Sequence, residues 1–218
     1  MKKKELQEKI AQRLKEYIVK KKLLPSSTKE LLKGAETGKT YASVVADPKE
    51  LFHLIMEGFI TDTLSVLEQD ENYAEMTVRE KLLSFYFVFV EQIKEDEEFL
   101  KVVFSPRQFQ LLKLVKNAMR PPFIEFIDQI VQEGILNEEI KSRMVLDKVY
   151  GMTLEKDLML VLKFWLKDGS EAKEKTDELI ERLVHLEMNA LGPNFMDDLI
   201  GLGKMMLENS PLSKYMSR

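Results

Sequence analysis

The stretch Ala46-Asp47-Pro48-Lys49-Glu50-Leu51 contains the clearest helix start in this 218-residue chain. Asp47 offers a side-chain oxygen to the free amides of a first turn, Pro48 suits the first helical position, and Glu50 completes a capping box. Apolar residues then recur at helical spacing as far as residue 67. We therefore predict a long helix over residues 48–67.

Helical patterns also fill the chain on both sides of this start, and strand-like alternation is absent. The capping box Thr77-Val78-Arg79-Glu80 precedes a helix that is apolar on nearly all sides, so this helix is predicted to be central and buried. Pro121-Pro122 is predicted to end one helix and begin the next. The predicted fold class is all-α, with about nine or ten helices joined by short loops.

The composition favours a well-solvated protein with a sizeable core: 44% of the residues are hydrophobic and 32% are charged. The absence of cysteine excludes disulfides and fits a reducing cytosol. No apolar signal segment follows the basic N-terminus, and the densest apolar run, Leu82 to Val90, is too short to cross a bilayer. We therefore expect a cytoplasmic protein without a stable membrane span.

The charge is divided unevenly along the chain. Residues 1–50 contain 13 Lys and Arg against 7 Asp and Glu, whereas the remaining residues contain 20 against 30. A basic N-terminal part on an acidic body is expected when one end meets a polyanion such as DNA or an anionic membrane. The alternative interpretation is that these lysines are simply solvated helix ends.

No motif for catalysis is present. A serine nucleophile elbow, a phosphate-binding glycine loop and a zinc-hydrolase pair are all missing, so we do not expect an enzyme. His53 and His185 are the only histidines and fall on different predicted helices, which argues against a metal site. We predict no cofactor.

Three short helices, a linking helix and a larger helical bundle make the chain similar to the TetR family of transcriptional regulators. The resemblance is carried by residues 46–51, by Ser26-Ser27-Thr28-Lys29-Glu30-Leu31-Leu32 at the predicted second helix, and by Leu162-Lys163-Phe164-Trp165-Leu166-Lys167-Asp168 followed by Glu174-Lys175-Thr176-Asp177. It implies a helix-turn-helix DNA-binding head over residues 1–46. It also implies a ligand-binding and dimerisation domain over residues 47–218.

In the family the third helix lies in the major groove, where small residues and hydrogen-bond donors reach the bases and cations hold phosphates. Lys49 matches the family's phosphate-contacting lysine. The candidate DNA-binding residues are Thr37, Lys39, Thr40, Tyr41, Ser43 and Lys49. The chain also departs from the family: the turn reads Gly34-Ala35-Glu36-Thr37, no aromatic closes the third helix, and Lys39 is the only basic residue between 34 and 48.

The resemblance further implies an apolar ligand pocket in the body and a dimer interface on the paired helices that follow. The candidate pocket residues are Phe85, Phe89, Phe104, Phe109, Met119, Phe123, Phe126, Met152 and Met159. At helical spacing, such residues are more often plain core. The candidate dimer residues are Phe164, Trp165, Leu179, Leu183 and Leu186, with Trp165 at or near the contact or, alternatively, packed inside its own subunit.

The predicted function is a dimeric, DNA-binding transcriptional regulator controlled by a small apolar ligand. The alternative is a lipid-binding accessory protein of the same fold without a DNA role, as in the ubiquinone-biosynthesis proteins that share it. The wide apolar face of the last predicted helix, from Phe195 to Leu207, fits a helix packed on the body or an interfacial membrane helix.

Overall fold

The computed structural model describes residues 3–33, 47–140 and 147–191, apart from the side chains at 3, 4, 147–153, 155, 190 and 191. The described helices are α1 (Lys3–Lys21), α2 (Thr28–Leu31), α3 (Pro48–Leu67), α4 (Val78–Gln92), α5 (Glu97–Val103), α6 (Phe109–Leu136), α7 (Asp147–Trp165) and α8 (Glu174–Leu191). Short 3-10 turns at Tyr73–Glu75, Lys94–Asp96 and Glu171–Lys173 join some of them. These ranges contain no strand, which confirms the all-α prediction.

The predicted N-caps at Asp47 and Thr77 place the starts of α3 and α4 correctly, and the full capping box is formed at α4. Asp47 accepts a hydrogen bond from the Lys49 amide at 3.0 Å, and α3 has the predicted bounds. At α4, the Thr77 hydroxyl accepts from the Glu80 amide while the Thr77 amide donates to the Glu80 carboxylate at 2.8 Å. The third predicted helix, residues 37–45, and the last one, from 195 onward, lie outside the described residues.

The predicted break at Pro121-Pro122 is wrong, because α6 runs through both prolines from Phe109 to Leu136. Neither proline can donate a backbone hydrogen bond, so two bonds of the helical ladder are missing. Met119 before them and Phe123 after them are both almost fully buried. Both halves of α6 therefore face the same core, and their tertiary packing keeps the helix in one piece.

Helix α4 is central, as predicted. It contacts α3, α6, α7 and α8, and its Leu82, Phe85, Tyr86 and Phe89 side chains have no exposed surface. Helix α1 packs on α3 and α5, so its apolar stripe belongs to the same continuous core. The N-terminal helix is therefore joined to the body by packing as well as by the chain.

The end of α6 approaches the start of α4 very closely. A Cβ atom on Gly134 would lie 2.6 Å from the Val78 side chain, so only glycine permits this contact. Just beyond, a carboxylate oxygen of Glu139 accepts a hydrogen bond from the Val78 amide at 2.9 Å. Glu139 thus satisfies one of the free backbone amides at the start of α4.

Candidate functional site

Two cations of α1 hold the N-terminal helices in place. Arg13 donates to the carbonyl of Leu31 at 2.8 Å and to that of Lys33 at 2.9 Å, which joins α1 to α2. The Lys15 ammonium lies 2.6 Å from the Asp96 carboxylate and 5.4 Å from the centre of the Phe59 ring. Because both cations make tertiary contacts, they contribute structure rather than free positive charge.

An ionised carboxylate fixes α2 against α1. The Tyr17 hydroxyl donates to Glu30, and the amide and hydroxyl of Ser26 donate to Glu30 at 2.8 and 2.7 Å. These hydrogen bonds, the one from the Ser26 hydroxyl first, lower the pKa of Glu30 to about 2. The position of α2 is therefore set before any contact with a partner.

The free positive charge lies elsewhere on the N-terminal part. Lys49 is exposed in the first turn of α3 and borders a cleft between the end of α1 and the start of α6. Other exposed lysines of the N-terminal part lie between the end of α1 and the residues just after α2. They are Lys20, Lys21, Lys22, Lys29 and Lys33. The other candidate DNA-binding residues, Thr37, Lys39, Thr40, Tyr41 and Ser43, lie outside the described residues.

Four of the candidate pocket phenylalanines are brought together, but they contact one another. The Phe85 ring lies 4.9 Å from that of Phe126, 5.2 Å from that of Phe123 and 5.9 Å from that of Phe89, measured between ring centres. All four are almost fully buried, as is Met119. The space between α4 and α6 is therefore occupied by side chains, and this part of the candidate pocket has the packing of a core.

The other candidates lie apart from this cluster. Phe104, Phe109 and Met159 line a separate cleft of about 280 Å³ between the start of α6 and the second half of α7. Phe109 is 76% exposed and so is not a buried residue at all. The Met152 side chain is not described.

A buried polar cluster between α4, α7 and α8 was missed by the sequence analysis. The Tyr86 hydroxyl and both Glu187 carboxyl oxygens are buried without a hydrogen bond of normal geometry among the described residues. Burial first, and then the neighbouring Asp157 carboxyl, raises the pKa of Glu187 to about 10. One signal was available: Glu187 lies on the same face of α8 as Ile180 and Val184, where an apolar residue is expected.

Residues 81–206 match the family model described as "Tetracyclin repressor-like, C-terminal domain". The chain belongs to the TetR family. A solved structure from Syntrophomonas wolfei str. Goettingen, provisionally assigned as a TetR-family transcriptional regulator, is 15% identical with a TM-score of 0.63, over 87% of this chain and 96% of that one. A protein of unknown function from Rhodococcus sp. RHA1 is also 15% identical, with a TM-score of 0.57 over 86% and 96%. No curated protein gives a significant match.

In this TetR-family chain the turn between α7 and α8 is tightly bonded. Asp168 accepts hydrogen bonds from the amide and hydroxyl of Ser170 at 2.9 and 2.6 Å and from those of Thr176 at 2.9 and 2.7 Å. These bonds, the Ser170 hydroxyl first, hold the pKa of Asp168 well below its usual range. Lys173 adds hydrogen bonds to the carbonyls of Trp165 and Asp168, both at 3.0 Å. The two helices are thus fixed as a pair.

The candidate dimer residues divide into exposed and buried ones. Leu186 is 64% exposed and Phe164 37%, whereas Leu179 and Leu183 are half-buried. Trp165 is only 2% exposed and packs inside its own subunit. Its side chain therefore agrees with the alternative interpretation, packing within one subunit, rather than with a position in the dimer contact. The exposed apolar side chains of α7 and α8 are those that a second copy can cover.

Within the described ranges, no group of three or more His, Asp and Glu side chains is placed to hold a metal ion, and His53 and His185 lie exposed on separate helices. None of the helices described here is long and apolar enough to span a bilayer.

Proposed function

We propose that this TetR-family protein is a cytoplasmic transcriptional regulator that binds double-stranded DNA as a homodimer, under the control of a small apolar ligand. The observation that carries the proposal is the exposed positive charge of the N-terminal part. Lys49 at the start of α3 and the lysines from the end of α1 through α2 are exposed, while the rest of the chain is acidic. Such a surface attracts DNA phosphates at one end only.

The proposed division of labour places DNA binding in residues 1–46 and ligand binding and dimerisation in residues 47–218. The contacts of α1 with α3 and α5 supply a physical link between the two parts, since Lys15 bonds Asp96 at the start of α5 and covers the Phe59 ring of α3. A ligand that favours one position of α5 over another would then change the placement of α1.

An electrophoretic shift assay with the gene's own upstream DNA tests the DNA-binding role. We expect binding at micromolar protein or below that weakens steeply with added salt. Replacing Lys49 by glutamine should weaken binding roughly tenfold and reduce the salt slope by about one.

Lys175→Gln serves as the matched control for this assay, because Lys175 is an exposed lysine on α8, far along the chain from the N-terminal part. It should leave the affinity unchanged. Absence of salt-sensitive binding would reject the regulator and favour the lipid-binding accessory protein of the same fold.

Dimerisation is tested by sedimentation. The wild-type protein should sediment at twice the chain mass of 25.4 kDa. Phe164→Glu places a charge on the exposed face of α7 and should weaken the dimer by roughly 2–4 kcal/mol, as loss of a central interface residue does. Val66→Glu, on an equally exposed apolar residue of α3, should leave the mass unchanged. A wild-type monomer, or a dimer insensitive to Phe164→Glu, would contradict the proposed interface.

A further inference from the structure

The cleft between α6 and α7 is apolar inside. Its volume is about 280 Å³, and its apolar lining comes from Phe104 after α5, from Phe109 and Leu112 at the start of α6, and from Met159 on α7. Phe109 is 76% exposed to solvent. An apolar occupant that covers this ring gains free energy from the water it displaces.

The rim of the same cleft is cationic. Lys113 and Lys116 stand three residues apart on α6, so they share one face of that helix, and Lys163 faces them from α7. All three lysines are exposed, and no acidic residue is among the described residues that line the cleft. Their positive charges repel one another, and an anion at the rim relieves this repulsion.

Several other lysines of the described chain, unlike these three, are paired with acidic residues. Lys15 is paired with Asp96, Lys81 with Glu133, and Lys173 with Glu97. No ion pair of this kind forms at Lys113, Lys116 or Lys163 within the described residues. The cleft therefore combines an apolar floor with a rim whose positive charge has no counterpart in the described fold.

We infer that this cleft binds an amphiphile with one anionic head group and a single apolar chain, such as a medium- or long-chain carboxylate. The head group would lie among the three lysines and the chain along the Phe109 ring. The volume of the cleft is close to the lower end of the range for ligand pockets, which is about 300 Å³. Such a volume suits one apolar chain rather than a two-chain phospholipid. The inference extends the proposed function by giving the chemical class of the effector. Its regulatory part rests on that proposed function.

The position of the cleft connects it to the N-terminal part. Phe104 directly follows α5, and Asp96, which bonds Lys15 of α1, directly precedes it. Leu100 and Val103 on the same short helix are fully buried. An occupant that contacts Phe104 therefore acts on a rigid helix whose other end holds α1.

Titration calorimetry with the intact protein and three probes of equal chain length tests the inference. Dodecanoate should bind with a micromolar dissociation constant that weakens as sodium chloride is added. Dodecyltrimethylammonium, with a cationic head, and dodecyl maltoside, with a neutral one, should bind at least about tenfold more weakly. Equal affinity for the three head groups, or a dodecanoate dissociation constant above about 1 mM, would overturn the inference.

Variants then locate the site. The triple variant K113Q/K116Q/K163Q should weaken dodecanoate at least tenfold, and Phe109→Ser, at an exposed ring, should weaken it severalfold without loss of the fold. The triple variant R79Q/K94Q/K175Q removes the same charge from exposed cationic residues outside both the cleft and the N-terminal part, and it should bind dodecanoate like the wild type. If both triple variants bind equally, the cleft is not the site.

Two further measurements, vesicle flotation and the DNA shift assay, separate the possible outcomes. Flotation with anionic phospholipid vesicles, in the absence of any binding to dodecanoate, would show a membrane surface as the partner and would overturn the inference. Dodecanoate binding that leaves the DNA shift unchanged would keep the site but reject its regulatory role. Dodecanoate binding by a protein that fails to bind DNA would reject the proposed function alone.

Discussion

Replacing Phe85 by alanine should lower the free energy of unfolding by about 3–5 kcal/mol, the range measured for truncating a buried aromatic side chain. Phe85 has no exposed surface, and its ring contacts those of Tyr86, Phe89, Phe123 and Phe126. Truncation leaves a cavity at the centre of α4 that the surrounding rings can fill only in part. Urea denaturation followed by circular dichroism at a fixed chain concentration measures the change.

Phe109→Ala is the matched control, because it removes the same ring from a residue that is 76% exposed. Its free energy of unfolding should stay within about 1 kcal/mol of the wild type. If Phe85→Ala were equally mild, the ring would line an open pocket, as the family resemblance implied, rather than a packed core. The pair therefore distinguishes the two interpretations of the candidate pocket residues.

Helix starts were predicted well because their chemistry is local. The Thr77–Glu80 box and the Asp47–Pro48 start each depend on residues within one turn, so the sequence alone contains all the interacting groups. The continuity of α6 was not predictable in this way. It depends on Met119 and Phe123 facing one core, and that contact is made with residues far away in the chain.

The candidate pocket shows a second limit of predictions that are based on helical spacing. Helical spacing identifies the face on which Phe85 and Phe109 lie, but it does not say whether another helix covers that face. In the structure α6 covers Phe85, whereas Phe109 lies at the edge of a surface cleft. The same residue type at similar spacing thus belongs to the core in one case and to a candidate binding site in the other.

Charge counts have a similar limit. The excess of basic residues in the first 50 predicted a cationic surface, yet Arg13 and Lys15 are used in contacts with Leu31, Lys33 and Asp96. A count cannot tell a bonded cation from a free one. Only the fold shows that Lys49 and the lysines from the end of α1 through α2 are exposed.

The buried Glu187 carboxyl should make the protein less stable as the pH rises. Burial and the neighbouring Asp157 raise its pKa to about 10, from an ordinary value of 4.5 in the unfolded chain. Between these values the folded state keeps a proton that the unfolded state has lost. The stability contributed by this group is therefore complete below about pH 4.5 and falls by about 1.4 kcal/mol per pH unit above it, until the folded state also ionises.

Glu187→Gln should remove this dependence. Glutamine keeps the shape and a hydrogen-bonding group beside Asp157 but carries no titratable proton. Relative to the wild type, its free energy of unfolding should increase by about 1.4 kcal/mol for each pH unit between pH 6 and pH 9, and at pH 7 the variant should already be the more stable. Urea denaturation at several pH values between 6 and 9 gives the two curves directly.

Glu178→Gln provides the control, because Glu178 lies on the exposed side of the same helix, paired with Arg182 at 2.6 Å. Loss of an exposed ion pair costs at most about 1 kcal/mol, and no pH-dependent gain in stability is expected. Tyr86→Phe removes a buried hydroxyl that has no hydrogen-bond partner among the described residues, and it should be neutral or stabilising. A constant difference between wild type and Glu187→Gln across this pH range would show that Glu187 is already ionised in the folded protein and would contradict the prediction.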